Sequence, residues 1–183
     1  PYHRRSPLPQ PNRSVTAAPH GLWQMDAQGA VRLPTLGRVA LINIVDSVSR
    51  VKTVSWPCLH TATPATADYQ LALRSAFLAF GLPQRVSVDH DGVFYDTTCS
   101  SPYPSLLHLW LIALGVEVIF TRCHRPTDHA YVERMHQTVM HQALDGQDPA
   151  TAEDLCAHLG ERLAFLNGVY PSRSLQGRPP LVA

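Results

Sequence analysis

Lysine is almost missing from this chain: Lys52 stands alone against fourteen arginines. Any grip on phosphate would therefore come through planar guanidinium forks rather than ammonium groups. Net charge is also small, +1 over 183 residues, so charge alone does not mark out a nucleic-acid binder. Ten histidines add positive charge only below about pH 6.5. Cysteine is sparse and scattered, at Cys58, Cys99, Cys123 and Cys156, with no C-x-x-C pair. That pattern argues against a zinc knuckle or a disulfide framework and points to reduced thiols. Long apolar runs are lacking. The longest, residues 106–114, is broken by His108 and falls short of the ~18 residues a membrane span needs. The first residues, Pro1-Tyr2-His3-Arg4-Arg5, have no apolar signal-peptide core. The expectation is a soluble, cytoplasmic protein, and the arginine bias suggests a bacterial source.

What is present is enough for one packed domain. Forty-five per cent of the residues are apolar and 16% charged, which excludes wholesale disorder. Pro1, Pro7, Pro9, Pro11 and Pro19, with Arg4, Arg5 and Arg13, make residues 1–20 an extended basic arm or linker. Residues 21–167 read as the folded core and 168–183 as a proline-rich tail. Within the core, 22–26 is a short strand followed by a Gln28-Gly29 turn. Residues 39–46 form a buried strand, and 51–56 form a third with polar residues at every other position. Helical periodicity takes over from Thr66 to Phe80, with Gly81-Leu82-Pro83 as the stop. Strands follow at 86–88 and 116–120, and helices at 104–114 and from 129 to about 143. A last helix reaches Leu166, with Asp148 as its N-cap and Pro149 at its first position. The order β-β-β-α-β-α-β-α-α gives an α/β fold, a five-stranded mixed sheet flanked by helices.

The informative acids stand at element ends. Asp26 closes the first strand, Asp89 follows the fourth, and Glu133 lies early in a helix. If the first and fourth strands are neighbours, Asp26 and Asp89 come side by side and Glu133 approaches across them. Three clustered carboxylates repel one another unless a cation neutralises them. Hard oxygen ligands suit Mg²⁺ or Mn²⁺. Two such ions ~4 Å apart can activate an attacking oxygen and stabilise a leaving one in phosphoryl transfer.

On these residues the chain resembles the catalytic core of the retroviral-type integrase and bacterial insertion-sequence transposase superfamily, the D,D,E enzymes with an RNase H-like fold. The matching pieces are Leu22-Trp23-Gln24-Met25-Asp26, Ile44-Val45-Asp46-Ser47-Val48-Ser49-Arg50, Phe80-Gly81-Leu82-Pro83, Val88-Asp89-His90-Asp91-Gly92-Val93-Phe94 and Ala130-Tyr131-Val132-Glu133-Arg134. The tail from Tyr170 to Pro180 is similar to the segment that follows the core in insertion-sequence members. The resemblance implies metal-dependent cleavage and strand transfer of DNA, by water first and then by a freed 3′-hydroxyl. It assigns catalysis and metal binding to Asp26, Asp89 and Glu133, with Asp26 between the two ions. It implies DNA as partner, both element ends and target, and a homo-oligomer in the active complex, nucleoid-associated when DNA is bound. His90, Asp91, Arg134, His136 and Gln137 are candidates for contact with DNA or with the ligands. Asp46, with Ser49-Arg50, is read as structural.

The chain departs from the family in three places. Asp89-His90-Asp91 stands where Asp-Asn-Gly is usual. The interval from Asp89 to Glu133 is longer than usual, with the surplus placed in residues 95–103. His136, Gln137 and Met140 occupy positions where retroviral relatives often place lysines. Phe94 matches the family's aromatic when counted from Asp89, which favours Asp89 over Asp91 as the second acid. His124, His129, His136 and His141 do not form an H-E-x-x-H zinc arrangement. Asp128, Asp145, Asp148 and Asp154 read as helix caps or surface charges, and Trp110 as core or oligomer contact. Arg122 and Arg125, with Arg134, are candidates to track phosphates. Two rivals stay open: a silent DNA- or partner-binding remnant, since residues 1–20 hold no helix-turn-helix, and a hydrolytic nuclease on the same fold.

Overall fold

Alternation along the first strand decides which residues meet which layer. Trp23 and Met25 are fully buried on one face of the sheet, so Gln24 and Asp26 take the other. The computed structural model describes residues 18–59, 63–94, 104–121 and 126–183. The arm with Arg4, Arg5 and Arg13, the loop 95–103, and Arg122, His124 and Arg125 lie outside the described residues.

Strands β1 (Trp23–Leu33), β2 (Gly37–Asp46) and β3 (Lys52–Cys58) form an antiparallel meander. Strand β4 (Arg85–Val88) adds in parallel to the other side of β1, and β5 (Glu117–Phe120) in parallel to β4. The order across the sheet is β3-β2-β1-β4-β5, the expected five-stranded mixed sheet. Helices α1 (Thr66–Phe80) and α2 (Leu106–Ala113) cover one face, and α3 (Ala130–Val139) and α4 (Ala152–Gly168) the other. Covered on both faces, β2 is buried at every residue from Val39 to Asp46. Ile42, Ile44, Leu73, Val88, Leu107 and Leu111 pack in the first core, and Leu41, Val45, Val132, Met135, Leu155 and Leu159 in the second. Truncating one such leucine to alanine costs ~2–5 kcal/mol. Helix α1 begins and ends where its periodicity predicts. Gly81, at φ 82°, donates its N–H to the Phe77 carbonyl and turns the chain out of the helix.

Several boundaries differ from those expected, most of them through long-range contacts. The first strand does not stop at the Gln28-Gly29 pair. A bulge between Gln28 and Val31 absorbs the turn signal, and the strand continues to Leu33, paired with Gly37. Asp148 does not cap the last helix, because its carboxylate accepts bonds from Thr35 N (2.8 Å) and Thr35 Oγ1 (2.9 Å) at the hairpin turn. Thr151 is the N-cap instead, in a capping box with Asp154. Regular helix ends at Val139 and widens into a π-turn over Met140–Leu144. Two α4 side chains hold that turn by its carbonyls, His158 at Ala143 and Arg162 at Gln142. Helix α2 starts two residues late, behind Ser105, whose hydroxyl accepts the His108 N–H.

Asp46 is structural, as expected. It is buried, and its carboxylate accepts the N–H of His20 and Val48 and the Ser49 hydroxyl. Trp110 stacks on Phe77 at 6.1 Å between centroids. No helix among the described residues is long and apolar enough to cross a membrane.

Candidate active site

The parallel register places Trp23 opposite Val86 and Gln24 opposite Ser87. Two residues further along each strand stand Asp26 and Asp89, the latter just past the last paired residue of β4. Parallel pairing thus sets two carboxylates at adjacent strand positions. Glu133 comes from the first turn of α3, which packs across the same face of β1.

Electrostatics links the three. The Asp26 carboxyl is pushed up from its ordinary 3.8 to about 6, by burial first, then by the negative charge of Asp89. Glu133 and Asp91 add smaller pushes, and only the Ala27 N–H, bonded at 2.9 Å to Oδ1, pulls the other way. Asp89 is half-buried and also shapes the following loop, its Oδ1 accepting the Asp91 N–H at 3.0 Å. Asp91 is exposed and repeats the motif, accepting the Val93 N–H at 3.1 Å. That turn carries Phe94 into the core against Tyr69, 5.0 Å between centroids. Glu133 is exposed.

This donor set suits a hard divalent cation in chemistry: three carboxylates, one of them held against ionisation by burial and then by its neighbours. Among the described residues, no group of three or more His, Cys, Asp or Glu side chains could hold a metal ion.

The remaining candidates divide. His136 sits beside Asp26, with Nε2 3.9 Å from Oδ2. Burial lowers its pKa, the nearby His129 adds to that, and the Asp26 main-chain carbonyl opposes it. The ring is therefore neutral at pH 7, and the contact is not an ion pair. His90 lies against the Phe120 ring at 5.5 Å. Arg134 and Gln137 are exposed on α3.

Three further residues join the site through long-range contacts that their sequence neighbours do not report. Gln24, 4% exposed, crosses from β1 to the start of α3. Its Oε1 accepts the N–H of Tyr131 (3.0 Å) and Val132 (3.1 Å), and its Nε2 donates to the Asp128 carbonyl (2.7 Å). Arg50, at φ 65° in the β2–β3 turn, lays its guanidinium 3.5 Å from the Tyr131 ring centroid. His129 is buried, which lowers its pKa against the pull of Asp89, Glu133 and the Ser87 carbonyl.

Comparison with known proteins bears on the fold. Residues 114–180 match the family model of the integrase core domain. The HTLV-2 integrase catalytic core domain in complex with magnesium superposes with a TM-score of 0.67 at 14% identity, covering 89% of this chain and 95% of that one. The catalytic core domain of BIV integrase gives 0.60 at 16% identity, over 88% and 91%. A chain of the simian T-cell lymphotropic virus intasome in complex with PP2A regulatory subunit B56 gamma gives 0.66 at 16% identity. It is covered over 54% of its length, so this chain spans about half of it. The fold is that of integrase catalytic cores, RNase H-like, and residues 114–180 resemble the integrase core domain family.

Proposed function

We propose that this chain is the catalytic core of a transposase or integrase, a polynucleotidyl transferase that cleaves DNA and transfers the freed strand. The observation that carries the reading is geometric: on an integrase-type sheet, parallel pairing sets Asp26 and Asp89 at adjacent strand positions, and Glu133 stands in the first turn of the helix packed across β1. A site that crowds negative charge in this way is completed by a cation. Asp26, Asp89 and Glu133 would hold Mg²⁺ or Mn²⁺. Bound ions would supply activation of the attacking oxygen and charge stabilisation of the leaving one.

The chain's own residues do the rest. The wall of the site formed by His129 and His136 is neutral, so it adds no positive charge to compete with a cation. Arg134 and Gln137, exposed on the helix that carries Glu133, face solvent where a DNA strand would lie. His90 and Asp91 flank Asp89 in the loop after β4 and are the next candidates for contact. The reading takes residues 21–167 as the core, 1–20 as arm and 168–183 as tail. Its partners are DNA and further copies of the chain, in the cytoplasm.

One observation favours a rival, a catalytically silent core that binds DNA or a partner: Glu133 is exposed, and no three-residue ligand group forms among the described residues. A strand-transfer assay on pre-cut DNA ends with Mn²⁺ separates the readings. Joined product that disappears with Glu133→Gln supports the proposal. Cleavage without joining would indicate a hydrolytic nuclease. Neither activity, with DNA still bound, would leave the silent core.

A further inference from the structure

Helix α3 lacks a cap of its own. Its N-cap residue, His129, makes no side-chain cap bond, although the first N–H groups of a helix need acceptors. The acceptor comes from another element. Gln24 Oε1 takes both the Tyr131 and Val132 N–H, the second and third of the helix, which are the ones a capping side chain would take. The same amide holds the preceding turn through the Asp128 carbonyl. Three bonds from one buried side chain span more than a hundred residues of sequence and fix where α3 begins on β1. Two residues past Gln24, on the same face of the strand, is Asp26. Directly after Val132 is Glu133. The Arg50 guanidinium over Tyr131 clasps the same turn from the β2–β3 connection.

We infer that Gln24 is a positioning residue: by capping α3 from β1 it sets the separation of Asp26 and Glu133. This rests on the reading of those acids as metal ligands. Groups that orient ligands from behind typically change metal affinity 10–100-fold when removed.

The test is Mn²⁺ titration of the full chain by calorimetry, for the parent, Gln24→Met and Val139→Ala. Gln24→Met keeps the volume and removes all three bonds. Val139→Ala destabilises the far end of the same helix, where Val139 is fully buried. Expected is Mn²⁺ affinity at least ~10-fold weaker in Gln24→Met and unchanged in Val139→Ala. In the same Gln24→Met protein without metal, the amides of Tyr131 and Val132 should exchange with solvent faster while those of α4 do not. Gln24→Asn keeps an amide one methylene too short and should move both readouts in the same direction if the Met variant does not fold. Parental Mn²⁺ affinity in the Gln24 variants, or an equal loss in Val139→Ala, would overturn the inference while leaving the metal site standing. A parent that binds no Mn²⁺ would remove the functional reading, and the positioning role with it.

Discussion

Replacing Asp26 with asparagine should stabilise the metal-free protein, and by an amount that depends on pH. The carboxyl is held at about 6 in the fold against an ordinary 3.8, by burial and then by Asp89. Its folded pKa is therefore raised, so the native state binds the proton more tightly than the unfolded chain. As pH rises from about 4 to about 6 the unfolded chain loses this proton first, and native stability falls. Above about 6 the full penalty of the buried charge is in place. From the pKa difference that penalty is at most ~3 kcal/mol. Solvent at a site that is 29% exposed screens part of it, leaving ~1–2 kcal/mol. Asp26→Asn keeps the acceptor for the Ala27 N–H and removes the charge. At pH 7.5 it should raise the melting temperature by ~3–6 °C. The gain should shrink through pH 6 to 4 and vanish below about 4, where both proteins are neutral at this position. Added Mg²⁺ or Mn²⁺ should raise the melting temperature of the parent and not of the variant. Differential scanning fluorimetry across pH, with chelator and with metal, reads all of this. A variant no more stable than the parent at pH 7.5, or a gain independent of pH, would refute the reasoning.

The second carboxylate gives a sharper contrast. Asp89→Asn should abolish metal-dependent cleavage and strand transfer, whereas Asp91→Asn should leave measurable activity. Asp91 indispensable and Asp89 dispensable, in a gel assay of labelled DNA ends, would move the site. DNA binding by this chain should be mostly electrostatic, ~10⁻⁴ to 10⁻⁶ M at physiological salt, steeply salt-dependent and indifferent to sequence. Tight, sequence-selective binding in fluorescence anisotropy would contradict that. Arg32 and Arg38 are exposed and directly opposite on the β1–β2 hairpin, a like-charge pair. Arg38→Thr should therefore stabilise the protein by ~0.2–1 kcal/mol at low salt and less at high salt. A loss of stability in low-salt denaturation would mean that the pair is held by something other than repulsion.

Much of this architecture was legible in the chain because its signals are local. The apolar spacing of α1, closed by Gly81, gives that helix to the residue. The apolar runs ahead of Asp26 and Asp89 place both acids at strand positions that parallel pairing then makes neighbours. What was not legible depends on partners far away in sequence. Gln28-Gly29 carries the chemistry of a turn, yet pairing with β2 converts it into a bulge inside a longer strand. Asp148-Pro149 has the form of a helix start, but Thr35 claims the carboxylate and leaves the cap to Thr151. Gln24 is the clearest instance. Nothing beside it in the sequence shows that its amide caps a helix beginning at Ala130.

The central claim is that Asp26, Asp89 and Glu133 form one metal site, and anomalous diffraction from crystals soaked in Mn²⁺ tests it most directly. The account predicts an ion bound between the Asp26 and Asp89 carboxylates, with the Glu133 side chain drawn inward from its exposed position. Mn²⁺ held elsewhere on the protein, or no anomalous peak at this end of the sheet under saturating Mn²⁺, would contradict it.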